Sequence, residues 1–326
     1  MGPGAGSAAA PAAALGAERP LLAVHCLGAY TVRSGGRELA PTGEDGAWYR
    51  SWEVLAYLAA YPGGVVPRER LLAALWPDVA PEKATSALRA AMSRLRGLLG
   101  RQVTGLGPEA VRAERDGTCR LDAALVWSDA QEFWARCQAA PALPPEEAIA
   151  SLERAVSLYA GDLLASRAAR AYDWLDEPGE DGVSLRRQYR EAFYRALQRL
   201  ARLHRGAGRP GAAVPLYRRL LQAEPILEDV VRELYRCYGE LGDLASLVRE
   251  DRHLRQALRT ALVDPGDPED DPEQYDPEPE TVALFREVRA ELEARAAATA
   301  RVLVGAAGDG GDNGGSDDGE ATGGRK

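Results

Sequence analysis

Apolar positions recur at helical spacing over most of this chain, and two short stretches in its first 127 residues switch to the period of a strand. Residues 21–39 run from an apolar stretch through alternating residues to a tight Ser34-Gly35-Gly36 turn, which predicts two or three short strands. Residues 48–60 predict a helix with Trp52, Leu55, Ala56, Leu58 and Ala59 inward. It stops at Tyr61-Pro62-Gly63-Gly64, where proline and two glycines end helical hydrogen bonding. Pro67 opens a second helix over 67–76, apolar at Leu71, Leu72 and Leu75 and stopped by Trp76-Pro77-Asp78. Residues 82–100 predict a third, in which Leu88, Met92, Leu95 and Leu99 make one apolar face. Residues 111–121 then read as two short strands around Asp116-Gly117, a strong hairpin signal. Strands, three helices and a hairpin predict a winged helix-turn-helix.

Charge sharpens the third helix. Residues 83–101 carry Lys83, Arg89, Arg94, Arg96 and Arg101 and no acid, inside a chain of net charge −9. Arg89, Ser93, Arg94 and Arg96 fall off the apolar face, and a docked helix with an arginine face suits a polyanion. The alternative at this point is a solvated amphipathic helix. Arg112, Arg115 and Arg120 add bases along the hairpin. Residues 1–127 hold 14 Lys plus Arg against 12 Asp plus Glu, whereas 128–326 hold 26 against 37, so the second part is not a DNA surface. So small an excess predicts weak binding by a monomer and a steep dependence on salt.

Beyond residue 127 the pattern is almost wholly helical. Sliding the sequence by 34 residues, the tetratricopeptide period, sets Leu200 on Leu234, Arg202 on Arg236, Gly208 on Gly242, Val214 on Val248 and Leu220 on Leu254. Leu200-Ala201, Ala213, Tyr217, Leu220 and Pro225 stand where such a repeat places its large, small and terminating residues. Asp251 replaces Tyr217 in the second copy, which reads as a terminal, capping repeat. Any antiparallel helical bundle is the alternative. Helices over 128–139 and 146–159, joined by a loop from Pro141 to Pro145, would make a further pair.

These stretches resemble a known family. LLAVHCLGAYTV as leading sheet, VVPRERLLAALWPD as positioning helix and SALRAAMSRLRGLLG as recognition helix look like the OmpR-type winged helix of SARP-family bacterial activators. Ser128-Asp129-Ala130-Gln131-Glu132-Phe133, then Tyr159-Ala160-Gly161-Asp162-Leu163-Leu164, Trp174 and the closing PEPETVALF of 277–285 resemble the bacterial transcriptional activator domain. The resemblance covers roughly residues 21–295. It implies that the third helix enters the major groove of double-stranded DNA, with Ser86, Arg89, Ser93, Arg94 and Arg96 as groove and phosphate contacts, Lys83 and Arg101 beside them, and Arg112, Arg115 and Arg120 serving the wing. It also implies a helical domain that dimerises or contacts RNA polymerase or a signalling partner. The chain departs from the pattern at Ala90 and Ala91, at Gly117-Thr118-Cys119-Arg120, at Ser51-Trp52-Glu53 where a basic residue is common, and at a turn-like Pro178-Gly179-Glu180-Asp181-Gly182. A scaffold whose winged helix no longer binds DNA specifically is the second reading, motivated by that alanine face and the low domain charge.

At 326 residues and 46% apolar, the chain has room for two domains with ordinary cores. The organisation expected is a mainly α protein: a disordered tail over 1–20, an α+β winged helix over 21–127, an all-α tetratricopeptide-like array over 128–263, an extended and solvated acidic Pro-rich linker over 264–280, a terminal helix over 281–304 and a disordered Gly-rich tail over 305–326. Asp309, Asp312, Asn313, Asp317 and Asp318 fit no twelve-residue calcium loop. Four widely spaced cysteines without a C-x-x-C pair argue against a zinc site and for a reducing cytoplasm. No apolar run is long enough to span a membrane, so the expected location is the cytoplasm, at the bacterial nucleoid. No phosphate-binding loop, nucleophile elbow or HExxH motif is present, and His25, His204 and His253 are scattered, so no catalytic residue, cofactor or metal is expected.

Overall fold

The computed structural model describes residues 20–39, 46–165, 172–179, 182–262 and 275–308. They fall into two compact units, Met1–Leu200 and Ala201–Lys326. In the first, β1 (Leu22–His25), β2 (Thr31–Ser34) and β3 (Arg37–Leu39) form an antiparallel meander that turns at Gly35 and Gly36, both at positive φ. α1 (Gly46–Ala60), α2 (Arg68–Leu75) and α3 (Pro81–Gln102) follow. Every side chain of α1 from Ser51 to Ala60 is buried, because α2, α3 and a later helix all pack on it. Ser51 and Glu53 are therefore interior positions, and their departure from the family pattern removes no surface contact.

The hairpin forms as expected, with β5 (Val111–Ala113) and β6 (Thr118–Leu121) antiparallel. It gains a third strand, β4 (Val65–Pro67), so Pro67 ends a strand where it was expected to open a helix. A second unexpected strand, β7 (Val126–Ser128), runs parallel to β1, and the first sheet has the order β3-β2-β1-β7.

β7 runs across 127/128, the expected division. The last carbonyls of α1 have no partner within their own helix. They are met from the far side: Ser128 Oγ donates to Ala59 O at 2.8 Å, Gln131 Nε2 to Leu58 O at 2.8 Å, and Tyr189 Oη to Ala60 O at 2.9 Å. The Asp129 carboxylate, itself buried, accepts from the backbone amides of Cys26 at 2.7 Å and Leu27 at 3.1 Å. α4 (Asp129–Ala139), α5 (Pro145–Leu158) and most of α6 (Leu185–Gly206) thus join the winged helix in one unit. Between α5 and α6, Gly179 N donates to Val183 O and Gly182 N to Gly179 O, each at 3.0 Å, which makes the expected turn; Glu180 and Asp181 lie outside the described residues.

The second unit holds the end of α6 with α7 (Pro210–Ala223), α8 (Glu228–Leu241), α9 (Leu244–Leu262) and α10 (Pro279–Gly308). The 34-residue register is kept in three dimensions. Gly208 and Gly242 both turn the chain with left-handed φ, 72° and 75°, and Ala213, Tyr217, Leu220, Leu234 and Leu254 are buried. Asp251 is also buried, accepting from Tyr235 Oη at 3.2 Å and Arg255 Nε at 2.9 Å, so a polar pair fills the site of the missing tyrosine.

The second repeat is not terminal. α10 packs on α8 and α9, burying Val288 and Leu292 and setting Phe285 against Tyr235. The end of the acidic stretch is docked rather than solvated: Pro277 is buried, Asp276 pairs with Arg255 at 2.7 Å and Glu278 with Arg232 at 2.6 Å. α10 also begins two residues earlier and ends four residues later than expected, so residues 305–308 are helical. Residues 1–19, 263–274 and 309–326, where the tails, most of the acidic stretch and the discarded calcium pattern were read, lie outside the described residues.

Candidate nucleic-acid interface

α3 starts with Pro81 and Glu82 in its first turn and ends with Arg101 in its last, a charge order that suits the helix dipole. Its inner face buries Ala84, Leu88, Ala91, Met92, Leu95, Leu98 and Leu99. At about 100° per residue the opposite arc carries Lys83, Ser86, Arg89, Ser93 and Arg101, all exposed, with Ala90, Gly97 and Gly100 between them. Small residues there allow the helix backbone to approach a groove closely. Ser86 Oγ donates to Glu82 O at 3.0 Å, so its hydroxyl is left as an acceptor. Such a group meets a base amino group better than a phosphate oxygen.

Arg94 and Arg96 do not join this arc. They lie at its two edges, half-buried. Arg96 Nε donates to Val111 O at 2.8 Å, fastening β5 to α3. Arg94 Nε is buried without a hydrogen-bond partner among the described residues.

The wing tip is a compact turn. Asp116 Oδ1 accepts from Thr118 N at 3.0 Å and Thr118 Oγ1 at 2.7 Å, and these bonds hold its carboxyl below the usual carboxylate range. Gly117 takes a φ of 87°, as this turn requires. Two of the three wing arginines are neutralised: Arg112 is paired with Asp122, and Arg120 with Glu114 at 2.8 Å. Arg115 is exposed at the tip.

Glu114 and Asp122 are the residues that sequence reasoning missed. Their signal was present, since folding 111–121 about Asp116-Gly117 sets Arg112 directly opposite Arg120. Like charges so placed are destabilising unless neutralised. Arg68 is the other omission; its backbone amide donates to Gly117 O at 2.9 Å and its guanidinium to Glu114 O at 3.4 Å, holding the wing to the start of α2.

Among the described residues, no group of three His, Cys, Asp or Glu side chains could hold a metal ion, and no helix is long and apolar enough to cross a membrane.

Two families match the chain. The one described as "Transcriptional regulatory protein, C terminal" matches residues 49–113, and the one described as "Bacterial transcriptional activator domain" matches 128–289. Among solved structures, the chain is similar to Mycobacterium tuberculosis EmbR in complex with a low-affinity phosphopeptide, with 22% identity, coverage of 87% of this chain and 71% of that one, and a TM-score of 0.56. At that identity the likeness is one of fold. No curated protein matches.

Proposed function

Because this chain belongs to the SARP-like bacterial transcriptional regulators, in which an OmpR-type winged helix precedes a bacterial transcriptional activator domain, we propose that it binds double-stranded DNA with α3 in the major groove. The observation that carries this is the exposed arc of α3, where Lys83, Arg89 and Arg101 surround small residues and no acid follows Glu82. In this reading Ser86 and Ser93 face base edges, Lys83, Arg89 and Arg101 take phosphates, and Arg115 extends the contact from the wing. Arg94 supports the edge of the arc, while Arg96, Arg112 and Arg120 shape the wing and hold it in place.

The protein is an activator in this proposal, acting in the cytoplasm at the nucleoid. Its helical repeats mediate self-association or contact with RNA polymerase or another protein partner. The modest positive charge of the N-terminal part favours two copies on repeated half-sites over one copy on a single site.

The test is selection of the full chain on random duplex DNA at low and moderate salt, followed by sequencing and titration of the enriched molecules. Enrichment of a direct or inverted repeat is expected. The logarithm of affinity should fall with the logarithm of salt with a slope of about −3 to −4 per copy, for roughly four phosphate contacts. Retention without a motif, or none at either salt, overturns the reading and favours a winged helix that serves as a protein-docking module.

A further inference from the structure

Residues 128–326 hold 26 bases against 37 acids, yet the outer face of α9 in the second unit is basic. Arg249, Arg252, His253, Gln256 and Arg259 follow one another at helical spacing, and all are exposed. The two acids of this helix, Glu250 and Asp251, are both turned into the core. Glu250 accepts from Tyr238 Oη at 3.3 Å and lies 3.7 Å from Arg218 Nε, while Asp251 is held by Tyr235 and Arg255. The Arg252 side chain makes no ion pair or hydrogen bond among the described residues, and Arg249 commits one N–H to Ser246 Oγ at 2.7 Å.

A cleft of about 650 Å³ adjoins this face, with Arg249 and His253 in its wall beside Arg218 and Gln222 of α7. Its apolar lining is Leu221, Pro225, Val231 and Leu254. Of the acids around it, Glu250 is buried in the wall, Asp243 caps α9 through Ser246 N at 2.9 Å, and Glu224, just past α7, is exposed. Where the described chain resumes after α9, Asp276 pairs with Arg255, on the opposite edge of the helix from the cleft. At 100° per residue Arg255 lies about 160° around α9 from His253.

An apolar cleft beside a row of cations suits a ligand that carries both a large apolar group and several negative charges. A nucleic-acid backbone supplies the charges without the apolar group. We propose that α9 and this cleft bind an acidic peptide segment of a partner protein. One large apolar side chain of the peptide sits in the cleft, and its carboxylates lie on Arg249 and Arg252 and along the helix toward Arg259. From Arg249 to Arg259 the helix rises about 15 Å, the span of roughly five extended residues. The inference specifies the protein contact proposed above for the helical repeats and rests on that reading, but not on DNA binding.

The full chain is titrated by fluorescence anisotropy with a fluorescein-labelled peptide of sequence GSLFDEDDE, with its neutral counterpart GSLFNQNNQ and with GSGSDEDDE, which lacks the apolar anchor. Saturable binding of the first is expected, at least tenfold tighter than either control. It should weaken at least tenfold when Arg249→Gln and Arg252→Gln are combined. Thermal melts check that the double variant keeps its fold; should it not, the three-peptide comparison in the unmodified protein still decides. Equal binding of the first peptide and either control overturns the assignment, as does unchanged binding in a folded double variant or no saturable binding up to about 1 mM. Loss of duplex DNA affinity in the double variant, with peptide binding retained, would make this face a nucleic-acid surface and also overturns it. A chain that self-associates or selects a DNA motif, yet binds none of the peptides, keeps the readings of the repeats and of α3 and overturns this inference alone.

Discussion

Arg96 donates through Nε to the backbone carbonyl of Val111 at 2.8 Å, so a base on α3 is part of the scaffold that holds the wing. Its loss leaves a half-buried contact unmade. Arg96→Ala should therefore lower unfolding stability by about 1–2 kcal/mol in a denaturant titration. Arg89→Ala, on the exposed arc, should leave stability within about 0.5 kcal/mol and weaken DNA binding several-fold. If the two variants lost stability equally, the separation of arc from scaffold would be wrong.

The wing makes the complementary case. Glu114→Gln and Asp122→Asn release Arg120 and Arg112 from their ion pairs. Each change should tighten DNA binding and steepen the salt slope by about 1, because one more base becomes free for a phosphate. The hairpin should loosen at the same time, since Arg112 and Arg120 face each other across β5 and β6. A salt slope that stays at its original value would mean that these arginines point away from the duplex.

Which parts of this were legible follows from the length over which each signal acts. The apolar face of α3 repeats over 22 residues, and Asp116-Gly117 states a turn outright, so helix and hairpin could be read directly. The 34-residue spacing pairs Gly208 with Gly242, and both take the left-handed turn that such a repeat needs. β4 and β7 are three residues each, too short to show a period, and exist because a distant strand pairs with them. The exposed arc of α3 was half legible. Periodicity separated bases from core, but whether Arg96 faces solvent or Val111 depends on where β5 lies, which no local pattern states.

Glu132 gives a pH test of the first unit. Burial pushes its carboxyl up, but hydrogen bonds from Arg154, Trp127 and Arg136 outweigh that and hold it below the usual range. The folded state therefore binds this proton less readily than the unfolded chain. Its stabilising contribution is present above the ordinary glutamate pKa and is lost as pH falls through the folded value. Glu132→Gln should lower stability near neutral pH, and the gap from the parent protein should narrow as pH falls through and below the ordinary glutamate range. A gap that is constant over that window would show that Glu132 acts through shape rather than charge.

The carbonyls at the end of α1 lead to the strongest prediction. Among the hydrogen bonds that tie residues before 128 to the rest of the first unit are five made through Ser128, Gln131, Tyr189 and the two amide contacts of Asp129. At about 1 kcal/mol each they approach the lower end of a domain's whole stability of about 5–15 kcal/mol. A chain covering residues 20–127 should accordingly lose its cooperative thermal transition, although it contains the entire winged helix. A chain covering residues 20–206 should keep one. Tyr189→Phe in the full protein should fall between them, since it leaves the Ala60 carbonyl buried without its tyrosine donor. Differential scanning calorimetry separates these outcomes. If the 20–127 chain melted cooperatively near the temperature of the longer one, the winged helix would be a self-sufficient domain, and its bonds to α4 and α6 would serve to orient it rather than to hold it folded.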